Sequence, residues 1–239
     1  ENDIDSPADF YSFSGNAWLP DALYVFGGTY TSDDATYGNS LNLTITGGAF
    51  NCGNNQGSAV AIYDLGKVAQ TMDVKISGDA ALTTNATGRE AYQVLSLSDI
   101  GVASPAEGYG NAEHTGKVSS SITGGTFSSN PSAYVAEGYF SLPNENSTYT
   151  VVTADQITSG VTIQGIAGYE HRAFATVANA FEVVKSDLKA RCGLAEQAMN
   201  EAQFSAFFTE NGKITWTVYG EQAVPVLFAV PLRRGSYVS

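Results

Sequence analysis

Apolar and polar positions alternate with a period of two in several short windows of the chain. Leu41, Leu43 and Ile45 share one parity, while Asn42, Thr44 and Thr46 take the other. The same alternation returns at Met72, Val74 and Ile76 against Asp73, Lys75 and Ser77, and more weakly at Val118, Ser120 and Ile122. This period predicts strands with one buried and one outward face. Each window runs into a corner of small residues. Ile45-Thr46-Gly47-Gly48-Ala49-Phe50 matches Ile122-Thr123-Gly124-Gly125-Thr126-Phe127, Val25-Phe26-Gly27-Gly28-Thr29-Tyr30 is a third copy, and Ile76-Ser77-Gly78-Asp79 is a degenerate one. A glycine pair ends a strand where the backbone needs a positive φ or a tight corner.

The copies stand at uneven intervals of roughly 20 to 50 residues, too long for a hairpin meander of about 8–12 and suited to stacked repeats. The spacing therefore predicts an all-β parallel β-helix, a solenoid with adjacent strands about 4.8 Å apart. Val25, Ile45, Ile76 and Ile122 are expected to stack as one buried ladder, with Tyr30 inside alongside Phe50 and Phe127. The stretch Leu95–Lys117, rich in glycine, reads as the longest loop.

The last third changes period. Phe174, Val177, Phe181, Val184 and Leu188 recur at spacings of three and four, a helical stripe, with Gly193 placed to end it. A second helical run is expected from Leu194 to about Phe208, then a turn at Asn211-Gly212 and a strand in which Ile214, Trp216 and Val218 share a face. The expected organisation is strands of the solenoid over 1–155, and a helix-containing cap or continuation ending in strands over 156–239.

The segment from Ile122 to Tyr139, with Ile122-Thr-Gly-Gly-Thr-Phe127 leading into Tyr134-Val-Ala-Glu-Gly-Tyr139, resembles a signature of large adhesin-like surface proteins of gut-dwelling Gram-positive bacteria. Ser147-Thr-Tyr-Thr-Val-Val152 follows in the usual place, and the resemblance covers roughly residues 20–155. It implies a right-handed parallel β-helix with a short helical insertion or cap in the C-terminal third. It also implies a place outside the cell or on its surface, and partners that are glycans or surface proteins of a host or neighbour. The chain departs from the family pattern in having no wall-anchor sorting signal at its end. Residues 1–10 carry neither the basic nor the apolar region of a signal peptide, so the chain reads as a mature or trimmed segment, with export left open.

Charge narrows the partners. Asp and Glu number 24 against 11 Lys and Arg, a formal net charge of −13, yet charged residues are only 15% of the chain. That balance excludes the basic footprint of a nucleic-acid binder and docking on anionic lipid. No window is long and apolar enough to insert in a membrane. Ser, Thr, Asn and 25 glycines supply the polarity.

Candidate chemistry is sparse. The two histidines, His114 and His171, have no partner for a metal pair, and Cys52 and Cys192 lie far apart with no catalytic surroundings. Asp64, Asp73 and Asp79 are the carboxylates that such a fold would place along a face, without the paired-acid motifs of a glycoside hydrolase. No catalytic residue, metal ligand or cofactor is assigned. Tyr37 and Tyr109 are the candidates for stacking on a sugar, and Asp33 and Asp34 for contacts to ligand beside them. The expected function is a non-catalytic, adhesin-like binding module; a polysaccharide lyase or glycoside hydrolase, and a passive spacer, are the alternatives. The sequence leaves the oligomeric state open.

Overall fold

A computed structural model describes residues 12–13, 16–17, 21–27, 30–32, 35–37, 41–53, 56–64, 71–96, 98–100, 118–192 and 213–222. The chain divides into two compact units, Glu1–Ala154 and Asp155–Ser239.

The first unit opens with β1 (Ser12–Phe13) and β2 (Asn16–Ala17), an antiparallel pair, followed by β3 (Leu23–Gly27). Next come β4 (Tyr30–Ser32) and β5 (Ala35–Tyr37), also antiparallel. The chain then lays down β6 (Leu41–Ile45), β7 (Ala49–Cys52) and β8 (Val60–Asp64). It returns through β9 (Met72–Ile76), β10 (Ala81–Thr84) and β11 (Tyr92–Leu95), and again through β12 (Val118–Ile122) and β13 (Thr126–Phe127). Two small parallel sheets result, β12-β9-β6 and β11-β8-β3, and β13-β10-β7 forms the parallel part of a third. β14 (Tyr139–Pro143) and β15 (Tyr149–Thr153) complete that third sheet in antiparallel fashion.

Ile45, Ile76 and Ile122 are register partners across β6, β9 and β12, and all three are buried. Phe50, Leu82 and Phe127 are partners across β7, β10 and β13. These side chains, with Met72, Val74, Val60 and Ile62, form one apolar core. Burying each contributes roughly 1.5–3 kcal/mol. The glycine corners let the strands approach closely. A Cβ on Gly78, whose φ is 65°, would run into the Thr46 carbonyl oxygen, and one on Gly125, at φ 100°, would come 2.8 Å from the Ala80 oxygen.

Two findings overturn the expected all-β, right-handed parallel β-helix. Val25 lies opposite Ile62 in the β11-β8-β3 sheet, so it is not on the sheet of Ile45, Ile76 and Ile122. Its strand is held there by Asp21, whose Oδ1 accepts the Ser58 N–H at 2.6 Å. The sequence pattern marks a strand and its buried side, but not which strand it pairs with. The parallel order also stops. After Phe127 the chain reverses through a turn in which the Asn144 N–H donates to the Thr148 oxygen at 2.7 Å and Ser147 takes a φ of 64°. The described chain is mostly β, in several small parallel and mixed sheets, with one short helix. Tyr30 departs from expectation too, pairing with Tyr37 across the β4–β5 hairpin instead of lining up with Phe50 and Phe127.

Among its described residues, the second unit holds an antiparallel sheet of β17 (Ala173–Phe174), β16 (Gly160–Gln164) and β18 (Thr215–Tyr219), and the helix α1 (Val177–Cys192). Thr176 caps the helix, its Oγ1 accepting the Asn179 N–H at 3.1 Å. Val177, Ala180 and Val184 bury the stripe against Val161, Ile163, Ile166 and Phe174. Phe174, the first residue of the expected stripe, belongs to β17 instead of the helix. Phe181 is half-buried. The expected helix at 194–208 and Gly193 lie outside the described residues.

Candidate binding face

The β12-β9-β6 sheet turns its second face to water. Because the three strands are in register, the polar residues between the buried ones fall into rows. Asn42, Asp73 and Ser119 are partners, as are Thr44, Lys75 and Ser121. Ser77 donates its N–H to the Ile45 oxygen, and Thr123 donates to the Ile76 oxygen, both at 2.8 Å, which carries the row begun by Thr46 one step further. Asn42, Thr44, Thr46, Asp73, Lys75 and Ser119 are exposed, while Ser77, Ser121 and Thr123 are half-buried. Neighbours across the strands are about 4.8 Å apart, and alternate residues along a strand about 6.6 Å. The face therefore presents hydroxyl, amide, carboxylate and ammonium groups on a regular lattice, with no apolar side chain in these rows. A rigid sheet holds them in place before a ligand arrives, which lowers the ordering cost of binding.

The β11-β8-β3 sheet is the opposite case. Every residue of β8 is buried, Asp64 at 2% exposure among them. Asp21 is 1% exposed, and its two carboxylate oxygens accept from the Ser58 N–H and from the Tyr63 hydroxyl, each at 2.6 Å. Ser58 in turn donates its hydroxyl to Gln93 at 3.2 Å. Burial pushes the Asp21 carboxyl above its ordinary value, and the hydrogen bonds and Arg89 pull less strongly the other way. Burial pushes the Tyr63 phenol up as well, with the Asp21 charge adding to it. A carboxylate engaged on both oxygens inside the protein serves as a tie between the start of β3 and β8. Nearby, Tyr134 packs edge-on against Tyr92 with centroids 4.8 Å apart and accepts the Val94 N–H at 3.3 Å. Burial raises Tyr92, Tyr134 and Glu90 above their ordinary values.

The residues expected to bind ligand fall largely outside the described residues. Asp33, Asp34 and Tyr109 lie outside the described residues, as does His114. Tyr37 ends β5 opposite Tyr30, and its side chain is likewise outside what is described. Of the three carboxylates expected along a face, Asp73 stands on the open face, Asp79 is exposed beyond the end of β9, and Asp64 is buried. His171 is half-buried between β16 and β17, Cys52 is buried, and Trp216 packs on the core of the second unit. Among the described residues, no group of three or more His, Cys, Asp or Glu is placed to hold a metal ion, and no helix is long and apolar enough to cross a membrane. The rows on the open face do not stand out in the sequence because each residue is ordinary by itself. The signal lay in the shared parity of three separate windows.

In the second unit, Arg172 stacks its guanidinium over Phe174 at 4.6 Å and over Tyr169 at 5.7 Å, and the Tyr169 hydroxyl donates to Asp187 at 3.0 Å. This cluster fastens the loop before β17 to α1. Comparison of the chain with family models, with curated proteins and with solved structures finds no match.

Proposed function

We propose that the protein is an extracellular or cell-surface, non-catalytic module that binds glycans on the outward face of β6, β9 and β12. The observation that carries this reading is the in-register lattice of Asn42, Asp73, Ser119, Thr44, Lys75 and Ser121. Sugars are recognised by hydrogen bonds to hydroxyl groups, and this face offers donors and acceptors on the scale of a pyranose ring. Its one carboxylate and one ammonium favour neutral glycans over polyanions, which a chain of net charge −13 repels. The resemblance of residues 122–139 to adhesin-like surface proteins supports the location and the class of partner. A surface-protein ligand rich in glycans meets the same chemistry.

A glycan array probed with the labelled protein tests this. Binding to a set of neutral glycans, lost in the double variant Asp73→Ala, Lys75→Ala, is the expected result. An array in which the wild type binds no more than the variant would retire the reading.

A further inference from the structure

Three stretches of the chain have the form Asn-x-Thr with a residue other than proline in the middle, the minimal acceptor for asparagine-linked sugars. They are Asn42-Leu43-Thr44, Asn85-Ala86-Thr87 and Asn146-Ser147-Thr148. All three asparagines are exposed, so exposure does not separate them. Their local geometry does. Asn42 and Thr44 lie inside β6, where alternate residues stand about 6.6 Å apart and the backbone is paired with β9. Asn85 follows β10 and donates its backbone N–H to the Cys52 oxygen at 3.4 Å. Among the described residues, no hydrogen bond joins the threonine hydroxyl to the asparagine side chain in either stretch.

The third stretch sits on the turn between β14 and β15, at a loop tip, where a modifying enzyme has access. The Thr148 N–H and the Thr148 hydroxyl both donate to Asn146 Oδ1, at 3.2 Å and 2.7 Å. The hydroxyl is itself fixed, because it accepts from Asn144 Nδ2 at 2.8 Å. Ser147, at φ 64°, bends the backbone into this loop. Two donors on Oδ1 fix which way the carboxamide lies, and Asn146 Nδ2 makes no hydrogen bond to a described residue. An amide nitrogen is a poor nucleophile because its lone pair is shared with the carbonyl. Hydrogen bonds to the oxygen draw charge towards it and make the N–H easier to deprotonate.

We propose that Asn146 is a modification site that takes an asparagine-linked glycan. The co-substrate is a sugar carried on a diphosphate leaving group, presented by a transferase separate from this chain. The bond from Asn146 Nδ2 to the anomeric carbon forms as the bond from that carbon to the diphosphate oxygen breaks. The electron pair leaves with the diphosphate, and the Nδ2 proton passes to a base of the transferase. Only the location outside the cell is shared with the proposed function, and glycan binding on the open face is not required.

The test incubates the folded full chain with an asparagine-linked glycosyltransferase and its diphosphate-linked donor, then maps the peptides by mass spectrometry. The expected result is the mass of the sugar on the peptide that holds Asn146, with Asn42 and Asn85 bare. Short peptides spanning the three motifs should be modified at comparable rates, which would show that the preference belongs to the fold. Asn146→Gln should lose the added mass. Asn144→Ala keeps the motif but frees the Thr148 hydroxyl, and should lower the occupancy with circular dichroism unchanged. The Asn146→Gln protein should behave on a glycan array as the wild type does, so this proposal and the proposed function fail separately. A bare Asn146, a sugar placed on Asn42 or Asn85 in preference, or an occupancy indifferent to Asn144→Ala would each overturn the proposal.

Discussion

Two three-stranded parallel sheets of the first unit are built the same way and end up with opposite characters. In the β12-β9-β6 sheet, residues alternate between core and water, and β9 buries Met72, Val74 and Ile76 while exposing Asp73 and Lys75. In the β11-β8-β3 sheet, β8 is buried on both faces, and its polar groups are consumed internally by the Asp21, Ser58 and Tyr63 contacts. Parallel strands are ordinarily covered on both faces. A parallel sheet with one open, fully polar face departs from that habit, and the proposed binding belongs to the first sheet because its polar groups are left facing water while those of the second are used internally.

The largest expected effect separates core from face on β9 itself. Ile76→Ala, at a fully buried position partnered by Ile45 and Ile122, should cost about 2–5 kcal/mol in urea unfolding. A cost under about 0.5 kcal/mol would mean that the ladder is not part of the core. Next is Tyr63→Phe in the second sheet. It removes the hydroxyl from a buried carboxylate oxygen and should destabilise by about 1–3 kcal/mol.

The pH dependence sharpens the same contrast. Burial raises the Asp21 pKa in the folded protein above its ordinary 3.8. Between those two values the folded chain holds a proton that the unfolded chain has lost. Stability from this group is therefore greatest below about pH 4 and falls as pH rises through the folded pKa. Asp21→Asn should flatten that fall, measured as the change in urea midpoint with pH relative to wild type. Glu90, also raised by burial, contributes with the same sign and stays in both proteins. An unchanged slope in the variant would show that Asp21 is not the buried group described. The smallest effect belongs to the open face. Asp73→Ala and Lys75→Ala should each shift stability by no more than about 0.5 kcal/mol, while weakening glycan binding.

The same contrast explains what could be read from the sequence. β6, β9 and β12 announce themselves because one face is wet, so Leu41 to Ile45 and Met72 to Ile76 alternate cleanly. The partner relation among Ile45, Ile76 and Ile122 follows from the repeated glycine corners. β8, Val60-Ala-Ile-Tyr-Asp64, carries no such signal, since a strand buried on both sides has no parity to show, and in β11, Tyr92-Gln-Val-Leu95, the two buried residues fall on opposite faces. Missing them left Val25 without its true partner, Ile62, and led to a single ladder. Asp21 was invisible for a related reason, because its role depends on Ser58 and Tyr63, some forty residues away. The segment Ile122–Tyr139 works both within itself and across the sheets. Val135 bridges Ile122, and Tyr134 packs on Tyr92. The open face was half legible. The outward side of Asn42, Thr44, Asp73 and Lys75 follows from their parity, whereas Ser119 and Ser121 and the lattice they complete become a feature only when the strands align.

The most direct measurement titrates a neutral glycan selected on the array into the isotope-labelled protein and maps the amide shifts. Shifts are expected to concentrate on Asn42, Thr44, Asp73, Lys75, Ser119 and Ser121, with β8 and β11 unmoved. Shifts clustered elsewhere, with those six amides unperturbed, would contradict it.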